Sequence, residues 1–350
     1  MKSLIVIIRI ILIPFSLLYG FLTELRNLLF DWHLLPIYKS KLPVVSVGNI
    51  SVGGTGKTPF TIWLAQQLSG HFERIAIVSR GYRRSSKGLK TVAENGKILC
   101  NVEVSGDEPM LMAQKLKNAL IIVAEKRKKA IRHIEMTQAA DVIILDDAFQ
   151  HRWVARDADI VLLHQNGFLQ NWPLPTGRLR EMIWRLKRAT YLIRRASKDN
   201  PLFTNYVPEN RQFTAHFSLG DVVNELFEIQ GRIEQWRGKR VVAFAGIAHP
   251  QTFFDMLRQN GLEVVQTIAF ADHYRFREDD LSELVHLCRK EKAEWLLCTE
   301  KDLVKIQPFL PILETEIKIT DVCLGAVSLQ VQLDDAKKFL DDLLKRLTIE

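Results

Sequence analysis

Eight residues, Ser51-Val52-Gly53-Gly54-Thr55-Gly56-Lys57-Thr58, constrain this chain more than any other segment. A short β-branched run at 41–48 (KLPVVSVG) precedes them, and apolar residues at helical spacing follow over Lys57–Leu68. Glycines at such a junction let backbone N–H groups converge at a helix N-terminus, forming a concave anion site. In that reading Lys57 contacts the β- and γ-phosphates and the Thr58 hydroxyl faces Mg²⁺. Ser51 stands where the pattern usually opens with glycine. Pro59 falls early in the helix, where its missing N–H does little harm. An ordinary glycine-rich turn explains the glycines; strand, loop, Lys-Thr pair and helix together favour nucleotide binding.

Strands are expected at 74–79, 119–124, 142–145 and 158–163, with helices after 106–109 and over 126–139. Continuous apolar strands alternating with helices indicate a parallel sheet covered on both faces. A second β/α series follows: strand 240–246, helix near 250–260, strand 263–269, helix near 278–290, strand 294–298, strand near 327–333 and a helix from Asp334. Between the series, Arg178, Arg180, Arg185, Lys187, Arg188, Arg194, Arg195 and Lys198 face the single acid Glu181 over 176–198. Residues 199–211 read as a surface connection. The expected fold class is α/β. A P-loop NTPase-type parallel sheet with helices on both faces occupies 36–215, a smaller C-terminal α/β domain 216–350, and an N-terminal apolar helix 1–35, with the main boundary near 200–230.

Over residues 4–22 the only charge is Arg9, with Pro14 in the middle. That is about the length needed to cross a bilayer core. A central Arg costs about 2.5–3.5 kcal/mol on insertion scales. An interfacial helix accommodates Arg9, Arg26 and the Trp32/Tyr38 flank without that cost. A cleaved leader fits poorly, since no small-x-small site follows; a helix packed on the protein's own core is the plainer alternative. The net charge of +8 calls for an anionic partner, whether phosphate, acidic lipid or nucleic acid. The basic clusters lack interleaved stacking aromatics, so nucleic acid is not expected. Cys100, Cys288, Cys298 and Cys323 have neither disulfide-framework nor zinc spacing, and read as buried small hydrophobes.

Phosphoryl transfer to an alcohol needs charge neutralisation at the phosphate and a base at the hydroxyl. The run into Asp146-Asp147, at the C-terminal end of a buried strand, suits a metal or is a pair of solvated acids. Asp107, in Gly106-Asp107-Glu108-Pro109, is either a base or a helix N-cap. Asp272-His273 in FADHYRF is a second acid–base candidate or a structural histidine. Gln150-His151-Arg152 contacts substrate or is a polar loop. Thr299-Glu300-Lys301-Asp302 lacks the spacing of the Asn-Lys-x-Asp guanine element, which leaves adenine as the expected base.

Eight pieces in order, VGNISVGGTGKTP (47–59), SRGYRR (79–84), GDEP (106–109), LDDAFQH (145–151), LPTGRLRE (174–181), FAGIAHP (244–250), ADHYRF (271–276) and TEKD (299–302), resemble the tetraacyldisaccharide 4′-kinase family, the lipid A 4′-kinases. The resemblance implies ATP- and Mg²⁺-dependent phosphorylation of the 4′-hydroxyl of a tetraacylated glucosamine disaccharide 1-phosphate. It implies a peripheral or anchored protein on the cytoplasmic face of the inner membrane, in contact with anionic lipid and needing no obligate protein partner. By resemblance Asp107 is the catalytic base and His273 its dyad partner. Lys57 serves catalysis; Thr58, Glu108, Asp146 and Asp147 serve the metal; and Asn27, Tyr82, Gln150, His151 and Arg178 serve the substrate.

Ala148 stands where the family usually has glycine, which matters if that position needs positive φ. Asp107 beside a His273 imidazolium would stay ionised. The arginines of the 80s and of 178–195 would attract the substrate phosphate and the anionic leaflet. Because the loop and His273 fall in different units, lobe closure over the nucleotide is expected. Two rivals share parts of the pattern. A P-loop ATPase energising a membrane partner needs no sugar-directed base, and a nucleic-acid-stimulated NTPase needs only the positive charge.

Overall fold

The structure is a computed structural model that describes residues 11–163, 172–196, 205–311 and 322–348. Arg9, the apolar run before residue 11, and Lys198 lie outside the described residues. In chain order the first half contains α1 (Ile13–Asp31), β1 (Val44–Asn49), α2 (Lys57–Leu68), β2 (Ile75–Ser79), β3 (Lys90–Glu94), β4 (Lys97–Ile98), α3 (Val102–Ser105), α4 (Asp107–Lys115), β5 (Leu120–Val123), α5 (Arg127–Thr137), β6 (Val142–Asp146), β7 (Ala158–Leu163) and β8 (Tyr191–Arg195). There follow β9 (Gln212–Asn224), β10 (Ile229–Arg232), β11 (Arg240–Ala245), α6 (Pro250–Gln259), β12 (Glu263–Ala269), α7 (Glu278–Lys290), β13 (Trp295–Thr299), α8 (Glu300–Ile306), β14 (Cys323–Leu333) and α9 (Ala336–Leu347).

The strands form one sheet in the order β12-β11-β13-β14-β9-β8-β7-β1-β6-β2-β5-β3-β4, with β10 paired to β9. Around β1 the block from β8 to β5 is parallel, and so is the block β12-β11-β13-β14. The antiparallel pair β9/β14 joins them. Strand alternation divides each block into two cores. Val45, Val47, Ile77 and Ile144 pack with α2, α4 and α9, while Val44, Val78, Ile143 and Leu145 pack with α5. In the second block Val242 and Phe244 meet α7, and Val241 and Ala243 meet α6.

The parallel α/β architecture agrees with the sequence. The expected unit 216–350 differs from the structure at both ends. Strand β9 runs through position 215, and α9 crosses back so that Phe339 packs against Phe60, Trp63 and Tyr191 of the first block. The hairpin β3/β4 and the strands β8, β9 and β10 carry no clear apolar run and were not expected. Cys288 and Cys298 are buried as anticipated; Cys100 is half-buried and Cys323 exposed, because each lies at a sheet margin.

Helix α1 is built inside out. Apart from Phe30, which is 1% exposed near its C-terminal end, its protein-facing side is small or polar: Ser16 and Asn27 are 0% exposed, and Gly20 lies close to Pro173 and Met182. Ser16 accepts the Thr176 N–H, Tyr19 donates to the Arg180 carbonyl, and Asn27 donates to Glu181. Its outer face is apolar, with Phe15 59%, Leu18 57% and Phe21 64% exposed. Pro14 occupies the first turn rather than breaking the helix. No helix among the described residues is long and apolar enough to cross a membrane.

Candidate active site

The loop after β1 is shaped by Gly53 (φ +116°) and Gly56 (φ +82°), conformations that L side chains rarely adopt. Gly56 is the N-cap of α2, so Lys57 and Thr58 open that helix at its positive end. From below, Val52 N–H donates to the Arg178 carbonyl and Arg180 N–H to the Ile50 carbonyl, while Asn49 donates to Thr55. The LPTGRLRE segment therefore buttresses the loop through its backbone. The Arg178 guanidinium lies over Gly53, within reach of an anion held there.

Lys57 Nζ is 3.5 Å from Asp147 Oδ1, to which Arg180 also donates at 2.8 Å. Burial pushes the Asp147 carboxyl up, but Lys57 and Arg180 outweigh it and hold it below its usual range. Asp146 behaves oppositely. Burial first, then repulsion from Asp147 and Glu108, raises it to about 6, against hydrogen bonding from Ser79 (2.9 Å). Residue Ala148 is not among the positive-φ positions; Asp147, at +46°, makes the turn. The missing glycine therefore leaves the turn intact.

Asp107 is the first residue of α4, whose N-cap is Gly106, so its carboxylate is not the helix cap considered from sequence. It instead meets His273 Nδ1 at 2.9 Å, 166 residues away in the chain. Burial opposes ionisation of Asp107, but His273, Lys301 and Lys305 hold its carboxyl low. Lys301 Nζ pairs with Glu108 at 3.0 Å and stands 3.5 Å from His273 Nε2. The two ring nitrogens of His273 thus face a carboxylate on one side and an ammonium group on the other. The Tyr82 ring lies 5.2 Å from the His273 ring and is exposed at the mouth. The seam between the blocks is already assembled: Lys115–Glu300 (2.5 Å) ties α4 to α8, and Gln114–Gln307 (3.1 Å) ties it to the residue that ends α8. The expected closure is thus not needed to join Asp107 to His273.

Other expected substrate residues are spent inside the protein. Asn27 and Gln150 both donate to buried Glu181, which Arg188 also grips; Gln150 donates to the Asn49 carbonyl as well. His151 is pushed down to about 4 by burial and by Arg127, Arg156, Arg80 and Arg26, and its Nε2 has no partner. The arginines of 178–195 were expected to face anions outside. Arg180 instead pairs with Asp147, Arg185 with Glu24 and Asp31, and Arg188 with Glu181. For Arg180 and Arg185 the fold supplies acids that are remote in sequence.

Sequence reasoning missed Lys301 and Arg127. Arg127, 4% exposed, donates to the Asp146 backbone carbonyl at 3.4 Å. The TEKD run was the available signal for Lys301, and the basic residues opening α5 were the signal for Arg127. Beside Gly56 the Phe217 ring closes the loop, and Arg195 stacks 5.1 Å above that ring. These two residues, with Thr252, Asp255 and Met256, line a cavity of about 420 Å³. Among the described residues no three acidic, His or Cys side chains converge to hold a metal alone. Kinase Mg²⁺ is usually held by one or two carboxylates plus substrate phosphates, which this oxygen-rich set fits.

Residues 8–348 match the family model described as tetraacyldisaccharide-1-P 4′-kinase. The tetraacyldisaccharide 4′-kinase of Pelobacter propionicus is 37% identical over 298 residues, covering 85% of this chain and 82% of that protein. The Aquifex aeolicus enzyme of that name is 36% identical over 313 residues, 89% and 94% of the two chains. The crystal structure of LpxK from Aquifex aeolicus in complex with ATP superposes with a TM-score of 0.79 at 33% identity, covering 98% of this chain and all of that one.

Proposed function

The chain belongs to the tetraacyldisaccharide-1-phosphate 4′-kinase family, and from that premise we propose that it transfers the γ-phosphoryl group of ATP to the 4′-hydroxyl of a tetraacylated glucosamine disaccharide 1-phosphate, with Asp107 as base and His273 as its partner. The observation that carries this reading is the Asp107–His273 contact at 2.9 Å, with Lys301–Glu108 beside it. A P-loop ATPase without an alcohol acceptor needs no such pair. In the proposed reaction the sugar oxygen bonds to the γ-phosphorus as the bond to the bridging β,γ-oxygen breaks. ADP leaves, and the hydroxyl proton passes to the Asp107 carboxylate.

Residues 51–58 hold the triphosphate through backbone N–H groups and Lys57. Thr58, Asp146, Asp147 and Glu108 are the groups available to Mg²⁺, which when bound neutralises charge on the phosphates. The cavity between Phe217 and α6 suits the base, with Asp255 and Thr252 to accept and donate hydrogen bonds. Tyr82, exposed beside His273, and Arg178, beside Gly53, are the groups we assign to the acceptor and its phosphate. The apolar outer face of α1 has the character of an interfacial helix, and we place it against the membrane surface that carries the acylated substrate. The side of that membrane is proposed to be the cytoplasmic face of the inner membrane, where ATP is found.

The test is mass analysis of the acylated disaccharide 1-phosphate after incubation with purified protein, ATP and Mg²⁺. One added phosphate at the distal sugar is expected, and is lost in Asp107→Ala. ATP hydrolysis without a phosphorylated lipid, or Asp107→Ala keeping more than about a tenth of the rate, would reject the assignment, since losing a general base costs about 10²–10⁴-fold.

A further inference from the structure

His273 holds a left-handed backbone conformation (φ +59°) in a loop between β12 and α7, where a β-carbon-bearing residue needs outside restraint. The restraint comes from α8 through one glycine. Asp302, fully buried, accepts the Gly246 N–H at 3.1 Å. Lys305, 8% exposed, donates to the Gly246 carbonyl at 3.2 Å and pairs with Asp302 at 2.5 Å. That same carbonyl accepts the backbone N–H of His273 at 3.3 Å. Thr299 locks the acid by donating to Asp302 at 2.7 Å, and Lys305 also rests 5.0 Å over the Phe276 ring beyond the loop. A β-carbon at Gly246 would press on the pair, lying 3.1 Å from Asp302 Oδ1, 3.2 Å from Lys305 Nζ and 3.4 Å from the Ala271 carbonyl.

We infer that the buried Asp302–Lys305 pair is a positioning device for His273, clamping both backbone groups of Gly246 so that the imidazole is presented to Asp107. The pair acts through the loop, and Lys305 adds a direct charge effect on Asp107 that Lys305→Met removes, Lys305→Arg retains and Asp302→Asn leaves in place. The inference rests on the proposed role of His273. It also gives a role to a feature that is poor evidence of stability, a buried ion pair. Both members sit one helical turn apart on α8, the helix that carries Lys301 to Glu108, so one element sets both halves of the seam.

The experiment measures kcat and both KM values for Lys305→Met, Asp302→Asn and Lys305→Arg, each with His273 intact and in a His273→Ala background. With His273 intact, Lys305→Met and Asp302→Asn are expected to lower kcat about tenfold or more, as small misplacements of catalytic groups do, leaving both KM values unchanged. Lys305→Arg, which still reaches the carbonyl and the acid, should recover most of that loss. In the His273→Ala background the same substitutions should cost less than about twofold, because contacting residues in one chain of action are not additive. Equal losses in both backgrounds, or an unchanged kcat with His273 intact, would overturn the clamp. Full activity of His273→Ala itself would instead remove the base-pair reading on which the clamp depends. Should Lys305→Met not fold, Gly246→Ala pushes the clamp directly and must show the same dependence on His273.

Discussion

The loops that follow β1 and β11 invite comparison, since each joins a buried strand to a helix and they touch where Gly54 approaches Ala248. The first is open: Gly53 and Gly54 are exposed, and no side chain caps the start of α2. The second is closed. Gly246 has both backbone groups taken by Asp302 and Lys305, and α6 opens with Pro250, which has no N–H to offer. Strand–loop–helix geometry therefore does not by itself make an anion site. Free backbone donors make one, and a neighbouring ion pair abolishes one.

The largest effect that can break this comparison is at the open loop. Lys57→Ala is expected to lower turnover by about 10²–10³-fold, as loss of a preorganised charge at the reacting group does, and to weaken ATP binding in calorimetry. Retained turnover would mean that the open loop is not the phosphate cradle. Next, Gly56→Ala places a β-carbon 2.6 Å from the Phe217 ring at a φ of +82°. We expect ATP affinity to fall about tenfold and stability by about 1–2 kcal/mol, read by titration and thermal melting. Phe217→Ala should raise the KM for ATP several-fold while leaving kcat for saturating ATP near the parent value, in keeping with loss of uniform binding.

Asp146 sharpens the contrast through pH. Its folded-state carboxyl sits at about 6 against an ordinary 3.8, so its ionised form is disfavoured in the fold. The penalty is present above pH 6 and fades as pH falls toward 3.8, because the folded protein then binds a proton the unfolded chain still lacks. Asp146→Asn should therefore stabilise the nucleotide-free protein by about 1–3 kcal/mol at pH 7, with the gain shrinking toward pH 4, while turnover is lost. The smallest effect is a difference in exchange. A non-hydrolysable ATP analogue should slow amide hydrogen exchange over residues 51–58 and leave Gly246 unchanged, its N–H being already bonded inside the protein.

Much of the site's first half was legible from local pattern. The helix Lys57–Leu68, the strand Glu263–Ala269 and the helix Glu278–Lys290 coincide with their sequence boundaries because apolar period and end signals agree there. Strand β8 was hidden because Arg194 and Arg195 end it inside the basic run, and β9 because polar residues alternate along an edge shared by two blocks. Resemblance pointed to Asp107 and His273, but which atoms meet, and that Lys301 stands beside them, depended on the seam between α4 and α8. Likewise the outward apolar face of α1 is invisible to periodicity, since the residues that pack inward are, Phe30 aside, the small and polar ones.

The sequence by itself determined the strand–loop–helix cradle, the parallel α/β frame and the acidic strand end, all of which depend on contacts within a few residues of one another. Tertiary structure alone decided which charges are free to act. Arg180 and Arg185 look unpaired in a segment whose one acid is taken by Arg188, yet the fold brings Asp147, Glu24 and Asp31 to them. Asp107 looks like a helix cap, yet a histidine 166 residues away takes its carboxylate. Electrostatics acts through space and burial, and the order of residues along a chain carries neither.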